Sequence, residues 1–507
     1  MIIITLFLGV HYLQFYGFFK AVGLSPNLGL SRWGITPKNA SYLLVVGAAV
    51  TIFFHLYAVK LSPRRISRFR RLIEELLREK RYSEICSLFE KHLHSLHKIY
   101  SNKLLLPRFK RWLAPKTIFD MYLLQQNQSD SSQSGMLSKY LTKSTATLRS
   151  VIHPLSALLP SYERQQTLAK EVVRNVLLSK EFTLTVATSR PYFALRVFDY
   201  DFWEIKTFLD DYFRKMLSDT CSVLYFEIHN NQELLPDEEG CFYKTPESNP
   251  LLHYLFADAR VAERLSVWKP VGRHMLSVLR DLQQNPVTDQ YIRPMEDFHD
   301  RDKWDSSLYV GLCFFDIMVT SALLQGIEWH MWLYYLPLFT KSIVTNLPAH
   351  ENLAEPDAEW PTKYNYLLYE IVSLLTNWIV PIKFLPIDQS NIVMHSRSIQ
   401  HENANIPKSS MIALGRCLHS ILLPQKISRS FKNRILEIVF RLYFNLREDK
   451  KLDDYAFVLI SLVKQGGSNY VSREDDYISQ LREALEEFDK FDYATSQIDE
   501  LAELLRS

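Results

Sequence analysis

At 507 residues the chain is too long for one small core, and its length implies roughly two to four domains or one elongated helical array. A net charge of +3 is too small to argue for nucleic acid, and only 14 glycines in a chain rich in Leu, Glu, Lys and Arg favour helices over a sheet with many tight turns. Cys86, Cys221, Cys241, Cys313 and Cys417 are odd in number and form no CxxC pair, which excludes a zinc ribbon or a disulfide framework and fits a reducing compartment.

Residues 2–19 carry no charge, and neither do residues 42–59. Each stretch is long enough to cross a hydrocarbon core as a helix. The second is the cleaner, because LLVVGAAVTIFF is apolar on every face, whereas the first contains His11 and Gln14. The loop between them holds Pro26, Gly29, Gly34 and Pro37, with Arg32 and Lys38 as its charges. Directly behind the second stretch come Lys60, Arg64, Arg65, Arg68, Arg70 and Arg71 with no acid among them. The positive-inside rule places that end in the cytoplasm, so two spans make a hairpin with both ends inside. The alternatives are a single span, a signal peptide that lacks a basic leading region, or a buried hairpin of a soluble domain.

The expected organisation is a two-span anchor at 1–60, a basic juxtamembrane region with a helical hairpin at 61–124, and a polar linker at 125–135. A main α-helical domain follows at 136–465, then acidic C-terminal helices at 466–507. In 68–100 the apolar spacing predicts two antiparallel helices broken at Glu79-Lys80-Arg81. The stretch LLREKRYSEICSLFEKHL resembles a single tetratricopeptide-type helical hairpin, but no 34-residue recurrence follows it. Arg108, Lys110 and Arg111 with Trp112 suit the surface of an anionic bilayer, or else form a plain solvated face; nucleic-acid binding, the third reading, would need a larger basic patch.

Farther along, helices are predicted over 148–158, 163–178, 202–217 and 251–282. Residues 183–186 have strand propensity inside a helical neighbourhood, and 230–250 and 283–305 read as loops. The apolar stretches 308–324, 329–344 and 364–380 resemble further spans, but Asp316, Glu328, His330, Lys341 and Glu370 lie in or beside them and favour a buried helical core. Residues 348–363 and 386–408 read as loops, 431–446 and 453–463 as amphipathic helices, and 474–505 as two short acidic helices. The fold class is therefore mainly α, a transmembrane hairpin followed by an irregular, α-solenoid-like multi-helix domain.

Signs of chemistry are sparse. His92, His94 and His97 share a helix, with the last two at metal-ligand spacing but with no acid or cysteine placed to complete a site. Within EDFHDRDKWD, His299-Asp300 resembles the paired residues of metal-dependent phosphohydrolases, with His274 and Asp316 as distant partners; a solvated acidic loop is the plainer reading. Phosphate-loop, dinucleotide, HExxH and GxSxG motifs are missing, so no cofactor or metal site is expected and the balance leans away from an enzyme. The leading expectation is a membrane-tethered adaptor or scaffold that meets lipids through residues 1–60 and binds a protein partner or a second copy of itself. Another is a membrane effector whose spans oligomerise, similar in architecture alone to bacterial antiphage-defence effectors. A hydrolase around His299 and Asp300 is the third.

Overall fold

The computed structural model describes residues 42, 45–46, 61–102, 163–231, 235–237, 240–242, 247–285, 290–293, 302–327, 332–348, 360–384, 406–467, 475–488, 493 and 495–506. The two expected spans fall outside these apart from three positions, as do the 125–135 linker and the 148–158 helix. The chain divides into two compact units, one of residues 1–76 and 84–172, the other of residues 77–83 and 173–507.

In the first unit, α1 (Ile66–Arg78) follows a short 3-10 turn opened by Pro63, whose fixed φ suits a helix start. Ile66, Phe69, Ile73 and Leu76 recur at helical spacing and are buried. They meet the inward face of α2 (Tyr82–Tyr100), where the Phe69 ring lies 6.4 Å from Phe89. Each such apolar side chain contributes about 1.5–3 kcal/mol on burial. The start of α3 (Glu163–Leu177) is tied to α2 by Gln166, whose amide donates to the Tyr100 carbonyl at 2.9 Å. The expected break between α1 and α2 falls where the sequence places it, with Lys80 in a left-handed conformation at φ 58°.

The second unit is mainly helical. Its elements are α4 (Lys180–Ser189), α5 (Phe193–Phe198), α6 (Ile205–Leu217), α7 (Val223–Asn230), α8 (Pro250–Phe256), α9 (Ala259–Leu265), α10 (Trp268–Gln284) and α11 (Ser307–Leu324). They continue with α12 (Tyr335–Asn346), α13 (Lys363–Asn377), α14 (Ile406–Leu422), α15 (Arg429–Arg447), α16 (Asp453–Lys464), α17 (Asp475–Glu487) and α18 (Thr495–Arg506). The helices pack in two rows. One runs α4, α6, α10, α12, α14, α16, α18; the other runs α11, α13, α15, α17, with α7 and α8 at its head. Helix starts follow side-chain chemistry readable in the sequence: Ser306, Thr362 and Ser428 each accept a backbone N–H three residues on, at 3.1–3.3 Å. An aromatic core joins the rows at one end, where Phe213 and Phe256 both meet Phe314 edge-on.

Residues 183–186 are helical within α4, as their helical neighbourhood implies, because Phe182, Val186 and Ala187 bury one helix face. Other expectations change. The loop expected at 230–250 contains a small antiparallel hairpin, Leu235–Asp237 against Gly240–Phe242. The helical patterning of 251–282 resolves into three helices, separated by the Asp258 cap and by Ser266 at φ 56°. The polar reading of 386–408 runs into α14, where Pro407 sits in the first turn and needs no N–H.

Among the described residues one helix, α11, is long and apolar enough to cross a membrane, and 72% of it is buried within the body. Its Asp316 carboxylate accepts the Trp378 indole N–H at 2.9 Å and the Thr320 hydroxyl at 3.2 Å. Trp378 is 1% exposed, so removing its acceptor leaves a buried donor without a partner. Asp316→Ala is expected to lower unfolding free energy by about 1–3 kcal/mol, and Asp316→Asn, which keeps an acceptor oxygen, by less. Urea denaturation of the detergent-solubilised full chain measures both. Equal losses in the two variants would show that the bond is not what matters.

Candidate functional site

The basic run behind the second uncharged segment continues onto α1. Arg65, Arg68 and Arg71 are exposed on the side away from the buried Ile66, Phe69 and Ile73. Arg70 is different. It pairs with Glu74 at 3.1 Å and with Glu171, so it is held within the first unit rather than turned outward. Arg64 belongs to the 3-10 turn, while Lys60, Arg108, Lys110, Arg111 and Trp112 lie outside the described residues.

The histidines do not converge. His92 packs edge-on against Phe69 at 5.7 Å, and burial lowers its pKa; His94 is exposed. Among the described residues no group of three or more His, Cys, Asp or Glu could hold a metal. His299 and Asp300 lie outside the described residues. Of their expected partners, His274 lines a cleft along α10 and Asp316 accepts from Trp378. The described end of that loop packs instead, with Lys303 above the Trp304 and Tyr309 rings.

Two clefts of about 400 Å³ mark the second unit. The first lies along α13 and α15, bounded by Trp360, Tyr369, Asn377, Arg434, Arg441 and Asn445. Its cations are engaged: Arg434 lies 5.2 Å over the Trp360 ring, and Arg441 pairs with Glu437. The second lies along α6 and α10 and is lined by Asp210, Arg214, Arg273, His274, Ser277 and Arg280, with Pro270 and Leu276 as its apolar wall. Arg273 donates to Asp210 at 2.9 Å, and Arg214 pairs with Asp211 at 3.3 Å. His274 is 9% exposed, and its Nε2 has no hydrogen-bond partner among the described residues. No protein-family model, curated protein or solved structure matches this chain.

Sequence reasoning passes over the second cleft. Its signal is the i, i+4, i+7 spacing of Arg273, Ser277 and Arg280, which puts two cations and a hydroxyl on one face of α10. The contribution of Arg214, from a helix more than fifty residues earlier, is a product of packing.

His274 also makes a prediction about acid stability. Burial, reinforced by the nearby Arg214 charge, lowers its pKa from 6.5 to about 4. The unfolded chain therefore takes up a proton before the folded chain does. The stabilisation is fully present above pH 6.5 and is lost as pH falls toward 4, at up to about 1.4 kcal/mol per pH unit. His274→Gln is expected to flatten this part of the stability profile, measured as urea midpoints at pH 7.5 and 4.5. An unchanged slope would show that the ring is solvated in the folded state.

Three acids of the C-terminal helices pair with arginines of α15. Glu483 and Glu487 hold Arg429, the first at 3.2 Å, and Glu500 holds Arg447 at 2.6 Å. Arg447 also reaches Asp453 at 3.1 Å.

Proposed function

We propose that the chain is a membrane-tethered helical adaptor whose body binds a protein partner at the cytoplasmic face of the inner membrane. The observation that carries this reading is the acid-free basic run directly behind an uncharged segment of spanning length, continued by the outward Arg65 of the 3-10 turn and Arg68 and Arg71 of α1. Arginines near an anionic leaflet each contribute about 1 kcal/mol of attraction, so this helix would lie against the headgroups. Two rows of helices, stacked in sequence order as in a solenoid, offer a long surface of the kind used for protein recognition.

The test replaces residues 1–60 of the full chain with an unrelated two-span anchor of the same topology, then scores membrane location and rescue of a null strain. An adaptor keeps its function on the foreign anchor. Failure at normal expression and location would overturn the reading and assign a direct role to the native spans, as in a bilayer-perturbing effector. Recovery of the native full chain in the soluble fraction would remove the tether itself.

A further inference from the structure

We propose that the cleft along α6 and α10 binds a small phosphorylated molecule, its phosphate held by Arg214, Arg273 and Arg280 with the Ser277 hydroxyl. Three guanidinium groups converge there from two helices. Guanidinium presents its N–H donors in a planar fork that matches phosphate oxygens, and it does so better than an ammonium. Arg273 and Arg214 each use one terminal nitrogen on an aspartate, which leaves further donors on both. Arg280 is exposed and has no ion pair among the described residues.

The surrounding charges bear on the class of ligand. Asp210 lines the cleft, Asp211 lies beside Arg214, and Asp281 acts on His274 from the same helix. Three acids nearly balance three arginines, so long-range attraction is weak and recognition depends on close hydrogen-bond geometry. A phosphate monoester suits this, with two charges and three terminal oxygens to share among the three forks. Ser277 stands one helical turn from both Arg273 and Arg280 and adds a neutral donor. His274 forms part of the cleft wall, with its Nε2 buried and without a hydrogen-bond partner among the described residues. A volume of about 400 Å³ exceeds what a phosphate group needs, and Pro270 and Leu276 supply an apolar wall for the rest of the molecule.

The experiment is isothermal titration of the full chain in detergent micelles, at low salt, with AMP and with inorganic phosphate as the probes. One saturable AMP site is expected, with inorganic phosphate competing for it. Arg280→Ala should weaken AMP binding about tenfold, Arg280→Lys should restore part of that, and the triple alanine variant at 214, 273 and 280 should abolish it. The exposed Arg280 variants keep the test decisive if the triple variant fails to fold. Absence of saturable binding by both probes overturns the proposal, as does an affinity unchanged by Arg280→Ala. Binding of inorganic phosphate without AMP overturns it too, because the cleft would then exclude an organic group.

Discussion

Gly467→Ala is expected to destabilise the body by about 2–5 kcal/mol, because left-handed strain and a steric overlap add at one position. Helix α16 ends in a Schellman turn. The Gly466 N–H donates to the Val463 carbonyl at 3.0 Å, and the Gly467 N–H donates to the Leu462 carbonyl at 2.8 Å. Both glycines have positive φ, 59° and 67°. A methyl on Gly467 would overlap the Ile412 carbonyl and come within 2.8 Å of the Arg416 backbone nitrogen. Its neighbour across the crossing is also a glycine: a Cβ on Gly415 would stand 2.5 Å from the Gly467 nitrogen. The backbone of this turn therefore rests on the backbone of α14, and neither side can yield by rotating a side chain.

Gly326 separates the two contributions. It closes α11 at φ 66°, and a methyl there would meet nothing within 4 Å, so Gly326→Ala reports the conformational strain alone, about 1–2 kcal/mol. Thermal or urea unfolding of the two variants in the full chain gives the comparison. If Gly467→Ala loses no more than Gly326→Ala, the close approach of α14 and α16 is not a determinant of stability.

Much of the helical pattern is legible from the chain alone, and the reasons are local. Buried residues of α1, α6 and α15 recur at helical spacing, and Ser306, Thr362 and Ser428 sit where a helix start needs a side-chain acceptor. What escapes is nonlocal. The start of α14 is obscured because Pro407 and Lys408 look like the end of a loop, whereas both are buried in its first turn. The pairing of Glu487 with Arg429 and of Glu500 with Arg447 joins residues more than fifty positions apart and appears only after folding. The arginine cleft has the same character, since α10 supplies a visible spacing but α6 supplies the partner only after folding.

The clearest nonlocal device is Glu227, and Glu227→Ala is expected to cost about 2–6 kcal/mol, at about 1–3 kcal/mol for each buried backbone donor left unpaired. Helix α8 starts with Pro250, and its N-cap Asn249 makes no capping bond with its side chain. The next N–H groups are satisfied from α7 instead: Glu227 accepts from Leu251 at 3.2 Å on one oxygen and from Leu252 at 2.9 Å on the other. The Tyr192 hydroxyl adds a third bond at 3.1 Å. Glu227 is fully buried, so alanine would orphan the two backbone donors, whereas Tyr192 is exposed and its hydroxyl can turn to water. Its pKa is raised, since burial outweighs the opposing bonds from Leu252, Leu251 and Tyr192. A carboxyl whose folded pKa exceeds its unfolded value contributes stability that is fully present below the unfolded pKa and is lost as pH rises through the folded one. The stability gap between the native chain and Glu227→Gln should therefore be widest in acid and narrow as pH rises, the opposite trend to that of His274. Urea midpoints of the two proteins across pH 4 to 8 test the sign. A gap that widens toward pH 8 would mean that the three hydrogen bonds outweigh burial and that Glu227 caps α8 as a stable carboxylate.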